Sequence, residues 1–377
     1  MKKRVFFYCV PQGTPEAAAY QHETICLAEG LKELDIPFFS NVNYWQQSPI
    51  KEEYLLRHNP EIAPDDCSVV IVGSTYFDYS GKRLPQNLFH RNRKYITVYI
   101  DRSDGIRTSA WNAEFRKFDF ILRTHYNSNF KYPSNIHPWF FGLSNRILKE
   151  TAAIPEFETR EKCLLVNFRV KHPLRDFIRE TFLSSIQAHL PLNDSFDSFN
   201  AQSLDDYHYL QWAQSGRRHY PSYYKRLKES VSCACFGGYF VPFFPGDPAS
   251  YFGSAVRKVL RDELLTKLDP RLSRIGQWDS WRFWESLAAG CVTFHLDFQQ
   301  NGFLLPEMPE NWKHYVGIDL RNIDETVERI IEEPEVFKKI STQGRHWANN
   351  NYSPKATASS FLKILGEAVK APSRNTM

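Results

Sequence analysis

The run GQWDSWRFWESLAAGCVTFHLDF, from Gly276 to Phe298, is the stretch from which the fold is read. Asp279 or Ser280 can cap a helix whose next positions, Trp281, Phe283, Trp284, Leu287, Ala288 and Ala289, are apolar or small. Gly290 ends that helix, and CVTFHL (Cys291 to Leu296) follows as a continuous apolar run, the pattern of a strand covered on both faces. A buried helix that leads straight into a buried strand is the repeating unit of an α/β domain. Arg282 and Glu285 are the charged side chains of this helix after its cap and, three apart, they share a face. Charges on a buried helix need partners. Either the two satisfy each other, or their face looks into a cleft, where a carboxylate accepts from sugar hydroxyls and a guanidinium holds phosphate oxygens.

The same alternation appears towards the amino terminus. KRVFFYCV (Lys3 to Val10) reads as a strand, and a helix from Pro15 to Asp35 follows, with Ala19, His22, Ile25, Cys26, Leu27, Leu31 and Leu34 near helical spacing. Further strands are expected at IPFFS (Ile36 to Ser40), CSVVIVG (Cys67 to Gly73), YITVYID (Tyr95 to Asp101) and FDFILRT (Phe118 to Thr124). These are unbroken apolar runs, so a parallel, doubly wound sheet is the expected form. The polar stretch from Glu150 to Lys162 marks a boundary, after which CLLVNF (Cys163 to Phe168) restarts the pattern. Two Rossmann-like α/β domains are therefore predicted, at 1–150 and 160–348, followed by a crossover helix and tail at 349–377 that packs back on the first domain. Residues 239–276 interrupt the alternation as an insertion. Within it Arg257, Lys258, Arg261, Lys267, Arg271 and Arg274 are interleaved with apolar residues, as in a basic amphipathic helix. Such a helix packs one face on its own domain, or lies on a membrane surface through residues 252–274.

Composition narrows the class. The chain has 377 residues, 42% hydrophobic and 24% charged, within the globular range. A net charge of +4 is too small to imply a partner recruited by charge alone, and nucleic acid is not expected. The least polar stretch, Ser230 to Phe244, is shorter than the ~20 residues of a membrane span and contains Gly237, Gly238 and Pro242. The apolar part of the opening segment is too short for a signal peptide. Seven cysteines, an odd number with no C-x-x-C pair, read as reduced core residues of a cytoplasmic protein, and no metal cluster is evident.

The string S-W-R-F-W-E-S-L-A-A-G-C-V, Ser280 to Val292, resembles the S-x-R-x-x-E-x-L-x-x-G-C-I/V-P motif of exostosin-like glycosyltransferase domains, which have the GT-B fold. YYKRLKESVSCACFGG, Tyr223 to Gly238, is similar to the segment preceding that motif, and LAEGLKELDIPFFSNVNYW resembles the first helix and second strand of bacterial nucleotide-sugar transferases. The motif-bearing likeness covers about 75 residues, and Thr293 stands where the family has proline. The resemblance implies transfer of a sugar from a nucleoside-diphosphate sugar, bound by the second domain, to a glycan, lipid-linked or small-molecule acceptor held by the first. It places Arg282 near the diphosphate, Glu285 near the ribose or sugar, and Gly237 and Gly238 where the backbone approaches the donor. It also implies that no metal or other cofactor is bound. Retaining members of the fold carry a Glu-x7-Glu motif whose second member aligns with Glu285. Its first falls on Gln277, which points towards an inverting transfer.

An inverting transfer needs a general base. Open α/β sheets bind ligands at the carboxyl ends of their strands, which singles out Asp101, Asp104 and His125, with Asp78 and His22 behind them. On the donor side the loop NFRVKHPLR offers Arg169, Lys171, His172 and Arg175 ahead of a helix start at Pro173, a place for phosphate oxygens. Gln277, Ser280, His295 and Asp297 complete the donor-side set. Tyr44, Trp45, Tyr76, Phe77 and Tyr79 are expected to form an aromatic acceptor platform. A binding protein that keeps the fold without turnover, and a nucleic-acid-modifying enzyme of the same fold, are the competing readings.

Overall fold

The apolar runs become parallel strands, and the polar segments between them carry the chain back along the sheet faces. The computed structural model describes residues 4–14, 17–102, 112–168, 172–195, 204–218, 220–238, 240–241 and 274–370. In the first half β1 (Val5–Tyr8), α1 (His22–Glu33), β2 (Phe38–Ser40), a hairpin of β3 (Tyr44–Gln46) and β4 (Tyr54–Leu56), β5 (Val69–Gly73), α2 (Ser74–Tyr79), β6 (Ile96–Asp101), β7 (Phe120–Arg123) and β8 (Ile136–Pro138) follow one another. They build a parallel six-stranded sheet of order β2-β1-β5-β6-β7-β8. After α3 (Asn145–Glu150) the second half contributes β9 (Glu161–Leu165) and α4 (Pro173–Ile178), which continues through a π-helical turn to Ile186. Then come β10 (Leu192–Asn193), α5 (Asp206–Gln214), α6 (Pro221–Glu229), β11 (Ser230–Ala234), the short pair β12 (Phe240–Val241) and β13 (Arg274–Ile275), α7 (Trp281–Ala288), β14 (Val292–Leu296), α8 (Phe298–Asn301) and β15 (Val316–Ile318). Its sheet is also parallel, in the order β10-β9-β11-β14-β15. The chain ends in α9 (Ile323–Glu332), α10 (Val336–Tyr352) and α11 (Pro354–Lys370). The two sheets are those of the expected doubly wound architecture.

Of the insertion, residues 242–273 lie outside the described residues, and with them nearly all of the basic segment 252–274. Asp104, Arg169 and Lys171 lie outside them as well.

The last helix returns to the first domain, as expected, and the contact is close. A Cβ on Gly30 of α1 would stand 1.8 Å from the Pro354 carbonyl oxygen and 2.8 Å from the Ala358 methyl. Glycine is what lets the α1 backbone approach the first turn of α11 so closely here. Helix α1 is buried from His22 through Leu31, between its own sheet and α11. Gly30→Ala is therefore expected to cost about 1–3 kcal/mol, the scale of overpacking, despite the better helix propensity of alanine. A thermal midpoint at or above that of the native protein would refute this close approach.

Candidate functional site

The segment Gln277-Trp278-Asp279-Ser280, just before α7, is where the two halves meet. Its backbone is held by three residues through four hydrogen bonds. Gly238 N–H donates to the Gln277 carbonyl at 3.0 Å, and His295 Nε2 lies 2.9 Å from the Trp278 carbonyl. From the first half, His125 Nδ1 accepts from the N–H groups of Trp278 and Asp279 at 3.1 and 3.0 Å. Asp279 answers with both oxygens: Oδ2 accepts from the Phe141 N–H at 3.0 Å, and Oδ1 from Trp284 Nε1 at 2.7 Å. Burial pushes the Asp279 carboxyl up to about 8, so near neutral pH it is largely protonated. Asp279 is thus an interdomain clasp, and Ser280 is the residue at the helix N-cap without bonding through its side chain.

The expected acceptor bases are placed differently from their expected role. Asp101 is fully buried at the end of β6 and forms an ion pair with the equally buried Arg123 of β7, its directly paired neighbour. Two opposite charges out of water need each other, which corrects Asp101 from acceptor base to internal counter-ion. His125 is corrected too. Because its Nδ1 accepts two backbone N–H groups, the ring proton resides on Nε2. Burial and the Arg123 charge push its pKa down to about 3. A neutral ring with the proton already on its outward nitrogen donates a hydrogen bond and does not take up a proton. His22 is buried between Tyr20, whose hydroxyl lies 2.8 Å from Nδ1, and the Gly142 carbonyl, 3.1 Å from Nε2. Asp78 pairs with Lys82 on the surface.

The donor-side residues divide. Arg282 donates through Nη2 to the Asn167 carbonyl and lies over the Phe168 ring, 5.4 Å from its centroid. Arg175 faces the same ring at 5.1 Å and donates to the Phe236 carbonyl at 3.2 Å. Both guanidinium groups are therefore gathered at the carboxyl end of β9. Glu285 turns instead to Tyr223 and Tyr224, whose hydroxyls each donate to one carboxylate oxygen at 3.0 Å. Gly237 and Gly238 are points of close approach: Cβ atoms there would meet the Gln277 carbonyl oxygen at 2.2 Å and Gln277 Oε1 at 1.9 Å. Their missing side chains make room for Gln277. His295, buried in β14, is engaged by Trp278 and by its own strand, with Nδ1 2.9 Å from the Leu296 carbonyl. Asp297 caps α8 through Gln300 N–H and accepts from Asn311.

The aromatic platform splits in two. Tyr44 and Trp45 belong to the large core that runs through both halves, whereas Tyr76 and Phe77 pack on the opposite face of the first sheet. The aromatic group that bridges the halves instead is Trp45, Tyr20, Trp281 and Phe141, with ring centroids 5.7, 5.8 and 5.2 Å apart in sequence around Tyr20 and Trp281.

Around this junction, buried polar atoms lack a partner among the described residues: His125 Nε2, Gln277 Oε1, Ser280 Oγ and Arg282 Nε. An unsatisfied buried polar atom costs about 1–3 kcal/mol, and these atoms, with Trp278 Nε1 on the same short segment, mark a place where a polar ligand would repay that cost. Among the described residues no group of three or more His, Cys, Asp or Glu side chains is arranged to hold a metal ion, and no helix is long and apolar enough to cross a membrane.

No family model matches the chain, and no curated protein sequence does. Solved structures do match over nearly its whole length. An alpha-glucosyltransferase in complex with UDP-glucose and DNA containing an abasic site superposes with a TM-score of 0.51 at 9% identity, covering 97% of this chain and 99% of that one. A glycosyltransferase from Rickettsia africae ESF-5 gives 0.46 at 14% identity, over 98% of this chain and 99% of that one. Anabaena HepE in complex with UDP gives 0.41 at 9%, over 97% and 100%. The first of these likenesses shows the fold: two Rossmann-like domains, the GT-B architecture.

Proposed function

We propose that the protein is a glycosyltransferase that moves a sugar from a nucleoside-diphosphate sugar to a hydroxyl of an acceptor held on the first domain. The observation that carries this reading is the set of unpartnered buried polar atoms, His125 Nε2, Gln277 Oε1, Ser280 Oγ and Arg282 Nε, lying where the two halves meet. They comprise donors and acceptors of hydrogen bonds, which suits the hydroxyls of a sugar. Arg282 and Arg175 supply positive charge beside them, where a leaving diphosphate builds up negative charge. Residues Arg169 and Lys171 are assigned to the same group. In this reading the chemistry needs no metal, and Gln277 in place of a glutamate favours inversion. With Asp101 and His125 otherwise engaged, the acceptor base of an inverting transfer falls to Asp104. The acceptor is a glycan, a lipid-linked sugar or a small molecule.

The test is a thermal-shift screen of UDP, GDP, CMP and dTDP and their common sugars, with and without Mg²⁺. UDP heads the panel because the alpha-glucosyltransferase that shares this fold is in complex with UDP-glucose. A ligand at 100 times its Kd adds about 2.7 kcal/mol to stability, enough to raise the melting midpoint measurably. One nucleotide is expected to shift it equally with Mg²⁺ or EDTA. Arg282→Ala is expected to weaken that nucleotide by about tenfold or more, the scale of a charge-assisted contact. No shift with any nucleotide would overturn the donor assignment. A second reading, a nucleotide- or sugar-binding protein without turnover, is favoured by the burial of Asp101 against Arg123. It predicts the same shift and no product.

A further inference from the structure

A second polar hollow opens away from the Gln277–Ser280 segment, where three parts of the chain meet. It is a cavity of about 590 Å³, within the range of small-molecule sites. One wall is His137 and Pro138 of β8, the edge strand of the first sheet. Another is Pro306 and Glu307, in the loop that follows α8 in the second half, and the third is the elbow where α10 passes into α11. The cavity shares no lining residue with the junction described above.

These walls are fastened to one another. Tyr352, fully buried at the end of α10, accepts from the Glu307 N–H at 3.0 Å through its hydroxyl, which in turn donates to the Glu307 carbonyl. The Tyr352 backbone carbonyl accepts from the Leu143 N–H of the first half at 2.9 Å. Beyond the elbow, Pro354 opens α11, where a missing N–H costs nothing, and Thr357 N–H donates to the Ser353 carbonyl at 2.8 Å. Both halves and the elbow are thus held around a hollow that is already formed.

The lining chemistry is specific. Lys355 and Lys363, about two turns apart on α11, are exposed, and their ammonium groups form no ion pair or hydrogen bond among the described residues. The Glu307 carboxylate, exposed on the facing loop, forms none there either. Asn351, Ser360 and His137 add neutral hydrogen-bonding groups. Burial pushes the His137 pKa below the ordinary histidine range, so near neutral pH its ring offers one donor and one acceptor. No Phe, Tyr or Trp is among the described residues that line the cavity, so a nucleobase finds no stacking platform. Two ammonium groups against one carboxylate favour an anion. A carboxylate, an amide and a hydroxyl beside them are left unused by a bare anion and suit the hydroxyls of a sugar.

We propose that this cavity binds a sugar carrying an anionic group, with the anion towards Lys355 and Lys363 and the hydroxyls towards Glu307, Asn351 and Ser360. The inference does not rest on the transferase reading.

The test is calorimetric titration of the full-length protein at low salt with glucose 6-phosphate, glucuronate, glucose and inorganic phosphate, in the presence of saturating UDP so that any donor site is filled. At least one of the two anionic sugars is expected to bind about tenfold more tightly than both glucose and inorganic phosphate, and to weaken as salt is raised. Preference for glucose 6-phosphate would identify the anion as phosphate, and preference for glucuronate as carboxylate. Lys355→Gln/Lys363→Gln, which keeps the side-chain stems and removes both charges, is expected to lose about tenfold in that affinity, the scale of a charge-assisted contact. Its thermal midpoint should stay native, since both lysines are exposed. Affinity in this variant within twofold of native would overturn the site, as would absence of binding of either anionic sugar. Inorganic phosphate binding as tightly as glucose 6-phosphate would overturn the sugar, and anionic-sugar binding seen only when UDP is left out would place the ligand in the donor site instead. Failure of UDP itself to bind, with the lysine-dependent sugar binding intact, would count against the donor reading and leave this site standing.

Discussion

Replacing Asp279 by alanine is expected to lower the unfolding free energy by about 2–6 kcal/mol, since it strands two buried donors that cost about 1–3 kcal/mol each. One is the backbone N–H of Phe141 in the first half, the other the indole N–H of Trp284 in α7. Trp284 is fully buried and packs on Phe140, Trp347 and Tyr352, which ties the clasp to helix α10. Asp279→Asn keeps the shape and one acceptor oxygen, so a smaller loss is expected. Guanidinium unfolding of the three proteins decides the matter, and an alanine variant within 0.5 kcal/mol of native, a scale on which surface substitutions fall, would contradict the clasp.

The same carboxyl makes stability depend on pH in a stated direction. Burial pushes Asp279 and Glu29 up to about 8 in the folded chain, whereas unfolded they ionise near 4. Between pH 4 and 8 each therefore holds a proton in the folded state that it lacks in the unfolded one, so stability falls as pH rises. Burial lowers His125, to about 3, and His295. Below about 6.5 their unfolded forms bind protons the folded forms do not, and that contribution to stability rises with pH. Up to about pH 6.5 the two pairs act in opposite directions. Above it only the carboxyls act, and stability is expected to decline towards pH 8 by as much as ~1.4 kcal/mol per pH unit for each group. Asp279→Asn should remove its share of that decline. An unchanged slope in the variant would show that Asp279 is ionised in the folded protein.

Most strands of both sheets are legible because parallel strands buried on both faces leave unbroken apolar runs, such as CSVVIVG and CVTFHL, whereas the two- and three-residue edge strands β10 and β8 leave none. The β3–β4 hairpin is not legible either, since its two strands have three residues each and a polar loop between, too short to show a period. Helix α5 was missed for a related reason: its sequence, DYHYLQWAQ, carries aromatic residues on several sides, one set facing its own domain and Gln214 reaching the other. Site residues were found by type and placed by neighbours that no local pattern reveals. Asp101 stands at the carboxyl end of a strand, as a base would, but strand pairing sets Arg123 directly beside it. The two glycines were recognised as points of close approach. What approaches is Gln277, some forty residues away and beyond the insertion.

His125→Asn is expected to reduce sugar transfer by about 10²-fold or more, the effect of removing one donor aimed at developing charge, while UDP affinity changes little. The effect follows from the tautomer. His125 sits at φ +55°, a left-handed conformation that asparagine tolerates better than most side chains. Its Nδ1 is committed to Trp278 and Asp279, which leaves Nε2–H as a buried donor with no partner among the described residues. In the transferase reading that donor meets a hydroxyl of the sugar or the acceptor and strengthens as charge shifts in the transition state. Nitrogen-15 NMR of the imidazole is expected to show the Nε2–H form unchanged from pH 5 to 8, and the pH–rate profile should contain no step from this ring. A midpoint near 6.5 for His125, abolished in the asparagine variant, would return it to the role of general base and overturn the assignment. Loss of UDP binding together with transfer would instead show that its service to the Trp278–Asp279 backbone dominates.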